Sequence, residues 1–260
     1  MLRRVVITTV LFWLIGCSLL SHAQKALPDT PSCPYSFTSG TNNTYLNYCV
    51  SVNGNIFQLT IPQSHQSIFG AEGYGLCNES PVASYWDWAT SGNSGNWNSP
   101  ILLNQTAKSV KIARTTADGT WTLTQTITQD AATPSIKVVM ALKNNTAVPH
   151  VVYLVRFADL DPDGNDNDFS ATTNSAFAWN PSIPFGLNNG YGVELRNVGN
   201  SQFGYVQGFA RTIPFGPNPC NFAGDSSTVL LNIDGSVALG YVDTIGPNKT
   251  KTATMIYRGL

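Results

Sequence analysis

The residues with the clearest chemical potential are carboxylates that gather at the end of one apolar run. Residues 159–168 read D-L-D-P-D-G-N-D-N-D and directly follow the apolar residues 151–158. Calcium takes about six to eight oxygen ligands, and alternating acidic residues around a glycine turn can supply several of them from one short segment. The pattern therefore predicts a structural calcium site. Its predicted ligands are Asp159, Asp161, Asp163, Asn165 and Asn167.

This segment resembles the first half of an EF-hand loop, D-x-D-x-D-G, but it departs from that pattern. Ser170 stands where the bidentate glutamate would be, Pro162 interrupts the loop, and a strand precedes it. These departures exclude a helix-loop-helix and leave a calcium loop in a β-sandwich. The alternative is a solvated acidic turn, in which Asp and Asn serve as turn formers. Both interpretations stay open, because five neighbouring carboxylates repel one another unless water, salt or a cation screens them.

A second candidate site lies in an aromatic-rich segment. Residues 69–100 lack a clean period and are rich in Gly, Asn and aromatic residues, which predicts a long structured loop, here called the excursion. Aromatic rings that stack on sugar rings, beside polar groups that bind hydroxyls, would form a carbohydrate-binding surface. The residues of this predicted surface are Tyr85, Trp86, Asp87, Trp88 and Trp97. The alternative is that the rings cover the open end of the sandwich as a small core.

Groups for acid-base catalysis are present, but no motif pairs them. The candidates for sugar chemistry are Glu72, Glu79, Asp87, His65 and His150. The chain contains no G-x-S-x-G, no H-E-x-x-H and no phosphate-binding glycine loop. The leading hypothesis is a non-catalytic protein that binds carbohydrate, with calcium as a structural ion and no other cofactor. The alternatives are a carbohydrate-active enzyme (an epimerase, lyase or hydrolase) and a structural surface or matrix protein.

The first 23 residues have the three parts of a secretory signal. Arg3 and Arg4 precede an apolar run over 5–20, and Ser-His-Ala at 21–23 forms a small-residue cleavage site. Residues 14–17 read L-I-G-C, which resembles a bacterial lipobox and would place a lipid anchor on Cys17. We expect a secreted, periplasmic or cell-envelope protein with no membrane span after cleavage.

Cysteine and charge usage agree with export. Four cysteines remain after the signal, and an even number in an exported chain predicts two disulfides. Cys33 and Cys49 flank a turn at 40–43 that would bring them together, so Cys77 and Cys220 pair by elimination. Removing the signal leaves 12 Lys and Arg against 15 Asp and Glu, and no basic stripe exists to suggest nucleic acid.

The composition predicts an all-β fold with little helix, because charged residues are scarce while Gly, Asn, Ser and Thr are abundant. Residues 120–127 and 136–142 alternate with a period of two. With 151–158 they are expected to form three neighbouring strands of one antiparallel sheet, since the turns between them are short. Residues 232–235, N-I-D-G, predict a further hairpin.

No fixed-period repeat and no linker divides residues 24–260, so a single large antiparallel β-sandwich is the expected architecture. Long alternating strands with a wide first excursion are similar to the large sandwich of sugar epimerases of the mutarotase type and of parts of polysaccharide lyases. The similarity implies a mutarotase-like supersandwich and supplies no reaction.

Overall fold

The computed structural model describes residues 33–130, 132–164, 166–180, 191–212, 218–222 and 229–260. The predicted signal segment 1–23 with its lipobox Cys17, and the predicted calcium ligand Asn165, lie outside these residues. Within them, there is no long apolar helix of the kind that crosses a membrane.

The described chain forms two antiparallel sheets. The strands of the first sheet are β1 (Tyr35–Ser39), β2 (Leu46–Val50), β3 (Ile56–Thr60), β4 (Gln66–Glu79), β5 (Val82–Asp87), β10 (His150–Pro162), β14 (Tyr205–Arg211) and β16 (Ser236–Ile245). Their spatial order is β1-β2-β3-β4-β10-β16-β14, with β5 paired to β4.

The strands of the second sheet are β6 (Ile101–Gln105), β7 (Ser109–Thr115), β8 (Trp121–Asp130), β9 (Ser135–Asn144), β11 (Asn167–Ala171), β12 (Ser175–Trp179), β13 (Gly192–Asn197), β15 (Leu230–Ile233) and β17 (Thr250–Gly259). Their order is β15-β11-β12-β13-β17-β9-β8-β7-β6. The helical content of the described residues consists of short 3-10 turns at Asn42–Thr44, Ala89–Ser91 and Pro219–Phe222. The all-β antiparallel sandwich with little helix is therefore confirmed.

The core lies between the sheets and follows from the period-two pattern of the strands. On β8, Trp121, Leu123 and Ile127 are buried, and the intervening threonines are only partly buried. Leu154 and Leu239 of the first sheet belong to the same apolar cluster. Burying each side chain of this size contributes about 1.5–3 kcal/mol to stability. The apolar faces that the alternation creates therefore drive the two sheets to pack against each other.

The predicted order of the three central strands is only partly right. β8 and β9 pair, with Leu123 opposite Leu142, but the neighbour of β9 is β17. β10 lies in the other sheet, between β4 and β16. It is buried on both faces, which requires a central position in its sheet. Residues 145–149 carry the chain from β9 in the second sheet to β10 in the first. The Asn144 side-chain amide holds this crossing by donating to the carbonyl oxygen of Ile245 at 2.9 Å.

The Asp-Gly hairpin predicted at 232–235 is wrong for a related reason. β15 pairs with β11 in the second sheet, whereas β16 pairs with β10 and β14 in the first. The tight turn at Asp234 and Gly235 therefore carries the chain between sheets. Turn chemistry specifies that the chain reverses, but the packing of the flanking strands decides where each one pairs.

The predicted loop excursion over 69–100 also needs correction. β4 and β5 pair over this segment, with Tyr74 opposite Asp87, and only residues 88–100 are irregular apart from the short turn at Ala89–Ser91. The glycines that obscured the strand pattern allow close packing. Trp88 and Pro219 lie so close to Gly75 that a side chain there would collide with them.

Both predicted disulfides are confirmed. Cys33 is bonded to Cys49 at a Cα–Cα distance of 5.5 Å, and Cys77 is bonded to Cys220 at 4.9 Å. The second bond attaches the short helix at Pro219–Phe222 to β4.

We expect loss of the Cys77–Cys220 bond to destabilise the fold more than loss of Cys33–Cys49. The bonds close loops with sequence separations of 143 and 16 residues. In the chain-entropy model these are worth about 5 and about 3 kcal/mol, respectively. Denaturant unfolding of the double variants Cys77→Ala/Cys220→Ala and Cys33→Ala/Cys49→Ala measures the difference. A larger loss for the shorter loop would contradict this expectation.

Candidate functional site

Two crossovers between the sheets run side by side at one corner of the molecule. One leads from β10 to β11, and the other leads from β15 to β16. Asn167 of β11 pairs with Ile233 of β15, and Ala158 of β10 pairs with Val237 of β16. Both crossovers are therefore held at the same place by strand pairing in both sheets.

Three carboxylates meet at this corner. Asp159 and Asp161 come from the end of β10, and Asp234 comes from the turn before β16. One carboxylate oxygen from each lies within 4.8 Å of the other two, an arrangement that could hold a metal ion. We call these three residues the acidic corner.

The acidic corner takes part in none of the ion pairs among the described residues. Asp159 is only 5% exposed, and its Oδ1 has no hydrogen-bond partner. The Oδ1 of half-buried Asp161 is likewise buried and without a partner, whereas Asp234 is exposed. The corner therefore has a buried floor and one side that faces solvent.

The electrostatics of the corner disfavour three ionised carboxylates. Burial raises the pKa of Asp159 to about 8, with smaller contributions from the negative charges of Asp161 and Asp234. Burial, followed by the charge of Asp234, raises the pKa of Asp161 to about 7. The cause is desolvation without an opposite charge. A bound cation would supply that charge and favour the ionised forms of these carboxylates.

The structure separates the predicted calcium ligands. Asp159 and Asp161 lie in the acidic corner, but Asp163 turns elsewhere with a positive φ of 55°. Its carboxylate accepts hydrogen bonds from Nδ1 of His65 at 2.5 Å and from the backbone N–H of Gln66 at 3.1 Å.

Asn167 pairs with Ile233, the residue before Asp234, which is the third carboxylate of the acidic corner. Asn167 is buried, its side-chain nitrogen donates to the carbonyl oxygen of Gly164 at 2.5 Å, and its Oδ1 has no partner. Sequence reasoning missed Asp234, which is far from the acidic segment along the chain. The available signal was the N-I-D-G turn, but a hairpin would not have brought it to β10.

The predicted aromatic carbohydrate surface is corrected. Trp88 is fully buried, and its ring packs on that of Phe157 at 5.2 Å, while Trp86 is partly buried and stacks on Trp88 at 6.1 Å. Tyr85 and Trp97 belong to the main core. The rings are buried because the face of the first sheet that points away from the second sheet is apolar and must be covered.

Asp87 of the predicted surface, like Glu72 of the catalytic alternative, is buried in an ion pair. Arg114 Nη1 lies 2.5 Å from Asp87 Oδ2. Arg156 pairs with Glu72, and both are fully buried. Tyr257 also donates to Glu72 at 2.6 Å. Neither carboxylate can reach a sugar in this structure, so these two proposed roles are not supported.

No protein-family model matches the chain, and no curated protein matches its sequence. Solved structures do resemble it. A bacterial glucoamylase complexed with acarbose aligns at 12% identity and a TM-score of 0.56, over 89% of this chain and 33% of the glucoamylase chain. This chain thus spans about a third of that enzyme's length.

Two further structures align less well. A putative aldose 1-epimerase from Escherichia coli K12 has 11% identity and a TM-score of 0.47, over 87% of this chain and 99% of that one. A lysyl oxidase from Pichia pastoris has 7% identity and a TM-score of 0.46, over 83% of this chain and 51% of that one. At such low identities, the resemblance to the glucoamylase shows a shared fold and nothing more.

Truncation of Trp88 tests the burial of the aromatic residues. We expect Trp88→Ala to lower the free energy of unfolding by about 3–5 kcal/mol, because it empties a fully buried site. Trp86→Ala is the matched control, and its partial exposure predicts a smaller loss. Urea unfolding measures both. Equal, small losses would show that the rings are not core.

The stability of the protein in chelator should fall as the pH rises from about 4 to about 8. The folded-state pKa values of Asp159 and Asp161, about 8 and about 7, exceed the ordinary value of 3.8. The folded protein therefore holds protons that the unfolded chain releases, and raising the pH favours unfolding.

Melting temperatures of the wild type and Asp159→Asn across this pH range isolate the contribution of the acidic corner. The variant should show the shallower fall. The hydrogen bond from Thr133 lowers the pKa of Asp130, and this contribution is common to both proteins. Parallel curves for the two proteins would contradict the expectation.

Proposed function

We propose that this protein is exported, binds calcium at the acidic corner, and works by binding carbohydrate rather than by catalysis. One observation carries the calcium part of the proposal. Three carboxylates, two from the end of β10 and one from the turn before β16, converge within 4.8 Å, and two of them place an unpartnered oxygen in the interior. Buried charges of like sign persist where a cation or protons compensate them.

The donor set favours calcium over transition metals. The three side chains offer only carboxylate oxygens, which suit hard cations, whereas zinc and copper prefer histidine and cysteine. Asn167 is a further candidate ligand, because its buried Oδ1 has no partner and it pairs with Ile233, next to Asp234. It is also one of the two amide ligands expected from the sequence.

Calcium at this place would hold the two crossovers together. Asp159 and Asp161 precede one crossover, and Asp234 lies in the other, so a shared ion would link segments that are distant in sequence. Sites in extracellular modules bind calcium with dissociation constants of about 10⁻⁴–10⁻³ M, which suits an exported protein. The signal-like segment 1–23 and the two disulfides support export, since disulfides persist in oxidising compartments.

The carbohydrate part of the proposal is supported by the open side of the acidic corner. Asp234 is exposed, so an ion held there faces solvent on that side. Charged residues make up only 11% of the chain, and neutral polar groups suit the recognition of hydroxyls.

A carbohydrate-active enzyme is the second candidate, and the pair His65–Asp163 favours it. The carboxylate of Asp163 accepts from His65 Nδ1, which leaves Nε2 as the nitrogen that could accept a proton. Turnover of a sugar by the wild type that is abolished in His65→Ala, with binding retained, would establish this second candidate.

Calcium should raise the melting temperature of the protein, and Asp161→Asn should abolish the rise. Saturation at about 100 times the dissociation constant corresponds to about 2.7 kcal/mol of added stability. Calorimetric titration of the chelator-treated protein gives the affinity independently. Asp166→Asn is the control, because Asp166 lies in the same loop, is exposed and is not part of the acidic corner.

Asp159→Asn should have opposite effects with and without calcium. In chelator at about pH 8 or above, where Asp159 becomes ionised, it removes one of the repelling charges and raises the melting temperature, while in calcium it removes a ligand and the ion no longer stabilises the fold. The ion-binding proposal is wrong if wild-type melting is indifferent to calcium and calorimetry detects no binding.

A further inference from the structure

We infer that the acidic corner, with its ion bound, takes neutral sugars through pairs of hydroxyl oxygens that complete the coordination of calcium. The inference rests on the proposed function and names its ligand class and its binding place. It depends on the number of ligands, on the charge at the corner, and on the two rings held by Asp163 at the end of the acidic segment.

The number of protein ligands leaves room for oxygens from outside. Three carboxylates offer between three and six oxygens, and Asn167 offers one more. Calcium takes about six to eight ligands, so monodentate binding leaves several positions to water or to a ligand. These positions lie on the side of exposed Asp234, because Asp159 closes the opposite side with 5% exposure.

The charge at the acidic corner selects the kind of oxygen. Three ionised carboxylates and one calcium ion leave a net charge of −1 at the site. A further carboxylate, sulfate or phosphate would meet this negative charge, and the buried floor would strengthen the repulsion. Neutral hydroxyl oxygens carry no such penalty, and adjacent hydroxyls on a sugar ring can occupy two positions at once. Neutral saccharides are therefore favoured over uronic or sulfated ones.

Two aromatic rings are held at the end of the acidic segment. Asp163, two residues after Asp161, accepts a hydrogen bond from His65, whose ring contacts that of Tyr191 at a tilt of 34° with 3.2 Å between centroids. Both rings are partly exposed. An aromatic face next to coordinated hydroxyls gives the apolar side of a sugar ring a surface to pack on.

Affinity electrophoresis of the full chain tests the inference, with native gels that contain mannan, dextran or hyaluronan, each in calcium and in chelator. We expect retardation in mannan or dextran with calcium, no retardation in chelator, and none in hyaluronan. Asp161→Asn should lose the retardation. Tyr191→Ala should weaken it by a factor of about two to ten while the calcium-induced rise in melting temperature remains.

Two matched controls accompany these variants. Asp166→Asn removes a negative charge from the same loop but outside the acidic corner, and Tyr205→Ala removes an exposed tyrosine on β14. Both should bind as the wild type does, which separates effects of the acidic corner from general changes in charge or surface.

The outcomes distinguish this inference from the function on which it rests. Retardation that persists in chelator or in Asp161→Asn would place carbohydrate binding elsewhere and overturn the inference alone. Retardation only in hyaluronan would overturn the preference for neutral sugars. Calcium binding without retardation in any gel would overturn the inference and the carbohydrate part of the function, and leave the ion site. No calcium binding would overturn all three.

Discussion

One buried cluster connects the two sheets, and at its centre is the ion pair of Arg156 with Glu72, which join β10 to β4 within the first sheet. Both residues are fully buried, and an unpaired charge at such a place is strongly destabilising. Arg156 on β10 also donates to Gln125 Oε1 at 2.7 Å, and Tyr257 on β17 donates to Glu72, so the second sheet contributes to the same cluster. Sliding one sheet over the other would break these contacts, and β10 is therefore held at the centre of the molecule.

The same strand carries paired charge at its middle and unpaired charge at its end. Arg156 compensates Glu72 in the core, whereas Asp159 and Asp161 face each other and Asp234 without a described positive partner. Burial alone does not distinguish these carboxylates; the presence of an opposite charge does. This contrast separates the carboxylates that organise the sandwich from those that are free to hold an ion.

The aromatic residues also fall into two groups, one buried and one partly exposed. Trp88 and Phe157 cover the outer apolar face of the first sheet, and the Cys77–Cys220 bond brings the short helix with Phe222 onto the same cluster. The aromatic residues of this cluster thus serve packing. The less conspicuous pair of His65 and Tyr191, which come from distant segments, remains partly exposed, and His65 is bonded to Asp163, two residues after Asp161.

The sequence by itself determined the all-β class, the alternating strands such as β8, both disulfide pairings, and the presence of Asp159 and Asp161 at a strand end. These follow from local alternation, turn chemistry and cysteine number, which act over a few residues or by elimination. Only the tertiary structure decided that β10 leaves the sheet of β9, that Trp88 is buried, and that Asp234 reaches Asp159. These depend on which apolar faces pack together across long stretches of chain, and such non-local contacts leave no periodic signal in the sequence.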